Sequence, residues 1–62
     1  MKNNLAKLRK ERNLTQAQLA KLVGVSRNFI SMIESEKRTC SIKVLSQIAE
    51  KLKVKKDDIF LP

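Results

Sequence analysis

The segment 14–34, LTQAQLAKLVGVSRNFISMIE, constrains this chain more than any other stretch. It carries two short apolar patterns at helical spacing, separated by the break Val23-Gly24-Val25, which holds the only glycine. Each pattern has its own start signal. Thr15 is a good N-cap, with Gln18 placed to reach back to the cap's backbone N–H, and Ser26 stands directly before the second pattern. Gly24 ends the first helix, where a left-handed backbone favours a residue without Cβ. Two helices joined this tightly cross at a steep angle, and the second projects from the body of the domain.

The flanking sequence supplies a body for that pair. Leu5, Leu8 and the aliphatic part of Arg9 share one helical face, which predicts a first helix from about 3 or 4 to 12, with Asn13 as its stop. The second helix is expected over about 16–22, with Leu19, Leu22 and Val23 on one stripe and the small Ala20 allowing close approach. In the third, Ile30 and Ile33 face inward near Glu34. Ser41 caps a fourth helix, where Ile42, Leu45, Ile48, Ala49 and Leu52 repeat at helical spacing. Val54 packs after the turn, and residues 55–59 form a short fifth helix with Ile59 and Phe60 docking on the core. No strand-like alternation or internal repeat is present. The expectation is an all-α, compact five-helix chain, a single domain over 1–62.

Composition excludes several functions. Histidine is absent, glycine occurs once, and the six carboxylates show no spacing of a catalytic pair. The chain therefore reads as neither an enzyme nor a holder of a metal or other cofactor. Cys40 stands alone, so no internal disulfide forms, and a small inert side chain is its default role. The apolar runs are far shorter than the ~20 residues needed to cross a bilayer. A domain of about 60 residues buries only about 60% of its unfolded surface, so dense helix packing or a partner must stabilise it.

The charge is +8, with 14 basic residues against 6 acidic. Such a balance attracts phosphates at long range, and is equally the mark of a solvated surface. The third helix separates these readings. Opposite Ile30 and Ile33 it carries Asn28, Ser31, Met32 and Ser35, flanked by Arg27 and Phe29. A helix serving only the core more often shows Lys and Glu there. Arg27 suits O6 and N7 of guanine, Asn28 suits N6 and N7 of adenine, and Met32 suits a thymine methyl, while Ser31 bonds a base or a phosphate. The bland alternatives stand beside these: Arg27 on a phosphate, Asn28 in solvent, Met32 partly in the core. Phe29 either leans on the sugar-phosphate backbone or closes the core's edge, with partial burial favoured.

These residues carry a resemblance. Leu8-Arg9-Lys10-Glu11-Arg12, Leu14-Thr15-Gln16, Leu19-Ala20, Val23-Gly24-Val25-Ser26, Ile30, Ile33-Glu34 and Lys37-Arg38 follow in the order of the phage-repressor and Cro-like, or Xre, helix-turn-helix family. The chain resembles that family over about 5–60. The resemblance implies a lambda-repressor-like DNA-binding domain with its motif at about 15–35 and its third helix in the major groove. It makes Gln16 a phosphate contact that buttresses the start of the recognition helix. Ser26, Lys37, Arg38 and Lys43 join Gln16 as phosphate-binding residues, with Arg27, Asn28, Ser31 and Met32 as base readers. Arg9 and Glu34 are implied to form a structural ion pair tying helix 1 to helix 3. Two positions depart from the family: Glu36 stands where glycine is usual, at a cost of about 1 kcal/mol if its φ is positive, and Cys40-Ser41 stand where proline is common.

The expected function is sequence-specific binding of double-stranded DNA by a transcriptional regulator, most simply a homodimeric repressor on a palindromic operator. Symmetry is expected because one small module makes few base contacts. Ile59, Phe60 and Leu61, within 55–62, are the expected dimer interface, or they simply finish the core. An antitoxin or restriction-modification controller, and an activator, remain alternatives. RNA binding is disfavoured because exposed aromatics for stacking are scarce. A membrane-active helix is disfavoured because the basic residues are spread over several capped helices. A cytoplasmic location is expected, with no small-molecule effector.

Overall fold

The computed structural model describes residues 3–60. It contains α1 (Leu5–Glu11), α2 (Gln16–Val23), α3 (Arg27–Glu34), α4 (Ile42–Leu52) and α5 (Lys56–Ile59). Three helices begin at side-chain caps. Thr15 Oγ1 accepts from Gln18 N at 3.0 Å while Thr15 N donates to Gln18 Oε1 at 2.8 Å, closing the capping box. Ser26 Oγ accepts from Phe29 N at 3.0 Å, and Ser41 Oγ from Val44 N at 3.2 Å. Ser41 thus starts α4 without proline.

The first four helices end alike. A left-handed residue follows each: Asn13 at φ 57°, Gly24 at 85°, Glu36 at 65° and Lys53 at 58°. The next residue then donates its N–H five positions back, in the pairs Leu14–Arg9, Val25–Ala20, Lys37–Met32 and Val54–Ala49. This is the Schellman pattern, which satisfies carbonyls that a helix end would otherwise strand. It normally brings an apolar residue back onto the helix. Leu14, Val25 and Val54 do so and pack against the core. At α3 that place is taken by Lys37.

Leu5, Leu19, Ala20, Ile30, Ile33, Ile48, Ala49, Leu52 and Ile59 form the core, drawn from all five helices. Each fully buried Leu or Ile contributes about 1.5–3 kcal/mol of hydrophobic stabilisation. Two sequence-based placements need correction. Ile42 is 70% exposed and Leu22 49% exposed, although both continue apolar stripes. Ile42 is the first residue of α4, and Leu22 falls on the outward side of α2.

The two ends of the described chain meet. Asn3 and Phe60 form a single antiparallel bridge, and Asn4 N donates to Ile59 O at 2.7 Å. Asn4 Nδ2 adds a bond to Asp58 O at 3.3 Å. Ile59 is fully buried in the chain's own core, so it offers nothing to a second copy. Its place in the expected dimer surface is thereby corrected. Phe60 is half-buried, and Leu61 lies outside the described residues.

Candidate nucleic-acid interface

α3 is held from below by Ile30 and Ile33, both fully buried, while Arg27 and Asn28 near its start are exposed. Ser31 and Met32 lie on the same outer side and are half-buried. Asn28 Nδ2 lies 3.7 Å from Met32 Sδ, one helical turn away, so the amide and the thioether form one unit. The outer face thus offers a guanidinium, an amide, a hydroxyl and an apolar sulfur, a mixture able to meet base edges.

A polar network fixes the far end of α3. Arg9 Nε donates to Glu34 Oε2 at 2.6 Å and Nη2 to Oε1 at 3.2 Å, a fork-to-fork pair. Arg9 Nη1 donates to Leu14 O at 2.6 Å. The two charged side chains are only 9% and 8% exposed. Gln16 Nε2 donates to Glu34 Oε1 at 2.9 Å. The glutamine therefore braces the end of α3, not its start as the resemblance implied, because the carboxylate lies at the helix's last residue. Its carbonyl oxygen and remaining N–H stay at a half-buried position.

The connection after α3 is equally fixed. Ser35 N, Glu36 N and Lys37 N each donate 3.0 Å back into the helix, to Ser31 O, Ile33 O and Met32 O. Glu36 holds a left-handed backbone where the related family favours glycine. Its carboxylate accepts from Asn3 N at 3.2 Å, and Asn3 Nδ2 caps Ile33 O at 2.9 Å. These bonds tie the N-terminal segment to the end of α3 and offset the backbone strain. The Arg38 guanidinium lies over the Phe29 ring, 4.8 Å from its centroid. Lys37, Arg38 and Lys43 are all exposed. Ser26 Oγ is occupied as an acceptor by its capping bond and keeps its own hydrogen to donate.

Sequence reasoning missed three of these contacts: Gln16 with Glu34, Arg38 with Phe29, and Asn3 with the end of α3. One signal was available for Lys37. It occupies the place after the left-handed residue that Leu14, Val25 and Val54 fill elsewhere, so a cation there lies outside the packing pattern. Cys40 is half-buried beside Thr39, Leu45 and Phe60, and burial raises its thiol pKa above the ordinary value. Among the described residues no group of His, Cys, Asp and Glu is arranged to hold a metal ion, and no helix is long and apolar enough to cross a membrane.

A short capped helix, held by a core on one side and a buried ion pair at its end, with a bare polar face and flanking cations, defines a helix-turn-helix DNA-binding domain. The helix-turn-helix family model HTH_3 matches residues 5–59, and the chain belongs to this Xre-like family. It is 48% identical over 61 residues to an HTH-type transcriptional regulator of Methanocaldococcus jannaschii, spanning 98% of this chain and 92% of that protein. The restriction-modification controller protein C.AhdI from Aeromonas hydrophila superposes with a TM-score of 0.84 at 28% identity, covering 90% of this chain and 85% of that one. SinR, a master regulator for biofilm formation solved in complex with DNA, superposes with a TM-score of 0.79 at 28% identity, covering 84% of each chain.

Proposed function

We propose that this protein is a sequence-specific DNA-binding transcriptional regulator that acts as a homodimeric repressor on a palindromic operator. The observation that carries the reading is the division of α3. Its inner side is locked by Ile30, Ile33 and Glu34, while Arg27 and Asn28 stand exposed and Ser31 and Met32 half-buried on the outer side. In this reading Arg27 and Asn28 pair with base edges near the helix N-terminus, where a recognition helix meets the major groove. Lys37, Arg38 and Lys43 bond phosphates beyond the helix end, Gln16 bonds one from its place beside Glu34, and Ser26 does so at the helix start. Such contacts set register and affinity, while the base contacts set sequence.

The dimer is proposed at the shallow apolar cleft lined by Thr39, Cys40, Leu45 and Phe60. A helix-turn-helix dimer reads two half-sites about one helical turn apart, ~34 Å. The regulator acts in the cytoplasm, and the whole chain forms one domain. A controller of a restriction-modification system is the second reading, supported by the likeness to C.AhdI.

The test is selection of duplexes from a random-sequence pool, followed by titration of the enriched and scrambled duplexes across a salt series. The proposed function requires an enriched palindrome bound about 10³-fold or more tighter than scrambled sequence. Arg27→Ala should cost about 1–3 kcal/mol and relax discrimination at one base pair of each half-site. Equal affinity for all duplexes rules out sequence-specific recognition, and uniform weakening by Arg27→Ala makes that residue a phosphate contact. Sedimentation of Phe60→Ala tests the dimer surface; an unchanged dimer would exclude it. A site lying upstream of restriction genes would favour the controller reading.

A further inference from the structure

We propose that Phe29 is a positioning residue for DNA contact: its ring holds the Arg38 guanidinium in place beside α3, so that Arg38 meets a phosphate already ordered. The inference rests on the proposed reading of α3 as the helix that enters the groove. The guanidinium carbon is 4.8 Å from the ring centroid, within stacking range of a cation over an aromatic face.

Both partners are anchored independently. The Phe29 ring is half-buried and packs against the core, and its backbone N–H is held by the Ser26 cap. The chain leading to Arg38 is fastened to α3 by the backbone bonds of Ser35, Glu36 and Lys37. Arg38 itself is exposed, and the ion pairs among the described residues are Arg9–Glu34 and Arg12–Glu11, so its cation is engaged by the ring rather than by a carboxylate.

A ring face attracts the charge of a guanidinium without accepting its N–H groups as hydrogen bonds, so those donors stay available to a ligand. Such donors bind a phosphate in bidentate fashion. An unsupported arginine would lose its rotamer freedom on binding, which weakens affinity about two- to tenfold per side chain. Phe29 removes part of that loss before DNA arrives. It also makes the 37–38 segment and the recognition helix dock as one body, since the ring belongs to α3 and the cation to the connection after it.

The test is a double-mutant cycle on the duplex that the wild-type protein enriches from a random-sequence pool. Phe29→Leu and Arg38→Ala should each weaken binding about three- to tenfold, and the double variant should bind no worse than the weaker single variant. Phe29→Tyr keeps a stacking face and should bind within about twofold of wild type. Arg38→Lys keeps the charge but loses the planar stack, and should bind less well than wild type. Additive losses, or a Phe29→Leu variant that binds like wild type while Arg38→Ala is weakened, overturn the proposal and leave the groove-binding reading standing. Failure to enrich any duplex overturns both.

One measurement needs no variant to fold. In the free wild-type protein the ring current of Phe29 should move the Arg38 δ-methylene proton resonances upfield of those in other exposed arginines. Unshifted resonances would overturn the proposal.

Discussion

Removing the carboxylate of Glu34 probes the contact that joins three helices at the end of the recognition helix. In Glu34→Ala, Arg9 loses two bonds, at 2.6 Å and 3.2 Å, and Gln16 loses the acceptor of its 2.9 Å bond. Arg9 is left 8% exposed with only Leu14 O as partner. Breaking one side of a buried pair costs about 3–5 kcal/mol because the surviving charge is stranded. The low end applies, since Arg9 keeps its bond to the Leu14 carbonyl. For a domain of this size, about 8 °C of melting temperature corresponds to each kcal/mol, so a loss of about 3 kcal/mol lowers the midpoint by about 24 °C. Thermal and urea unfolding followed by far-ultraviolet circular dichroism measures this directly, as the chain has no tryptophan to report by fluorescence. The paired variant Arg9→Met with Glu34→Leu removes both charges and should lie within about 1 kcal/mol of wild type. A Glu34→Ala cost below about 1 kcal/mol would show that the pair is screened like an ordinary surface bridge, and would refute the reasoning.

Three further outcomes are expected. Gly24→Ala should destabilise by about 1–2 kcal/mol; a new Cβ meets no heavy atom within 4 Å, so the whole effect comes from φ at 85°, and a neutral result would contradict that account. Arg12→Met should cost about 1 kcal/mol, because Arg12 Nε donates to Leu52 O at 2.7 Å and caps the end of α4, and urea titration against Arg12→Lys checks whether the fork geometry matters. The Cys40 thiol, its pKa raised by burial, should react with iodoacetamide more slowly in the folded protein than in denaturant at the same pH. Because the folded value is the higher one, the associated stability is present at neutral pH and is lost as pH rises through the folded value. Cys40→Ala should lack that alkaline decline, and an equal decline in both proteins would assign it elsewhere.

Much of the helical framework was legible because its signals are local. Thr15, Ser26 and Ser41 cap helices through bonds spanning three residues, and Gly24 takes the left-handed turn its lack of Cβ permits. The inward residues Ile30 and Ile33, and hence the identity of the outer face of α3, follow from periodicity alone. Periodicity names a face but not the extent of its cover, which is why Ile42 and Leu22 read as packed and stand exposed. It also could not separate a core residue from an interface residue at Ile59, whose backbone meets Asn4 from the other end of the described chain.

The sequence by itself determined where helices start and stop, and which residues α3 leaves outward, because those depend on neighbours within one or two turns. The tertiary structure decided what holds that helix in place. Glu34 meets Arg9 and Gln16 across 25 and 18 residues, and Arg12 reaches the end of α4 across 40. Asn3 reaches the end of α3 across 30 and 33 residues. No short-range pattern specifies such pairs, since each polar group has many acceptable partners until packing of the core brings one within bonding distance. Phe29 and Arg38 illustrate the difference: the sequence showed an aromatic and a cation near the candidate interface, and only the turn at Glu36 set one over the other.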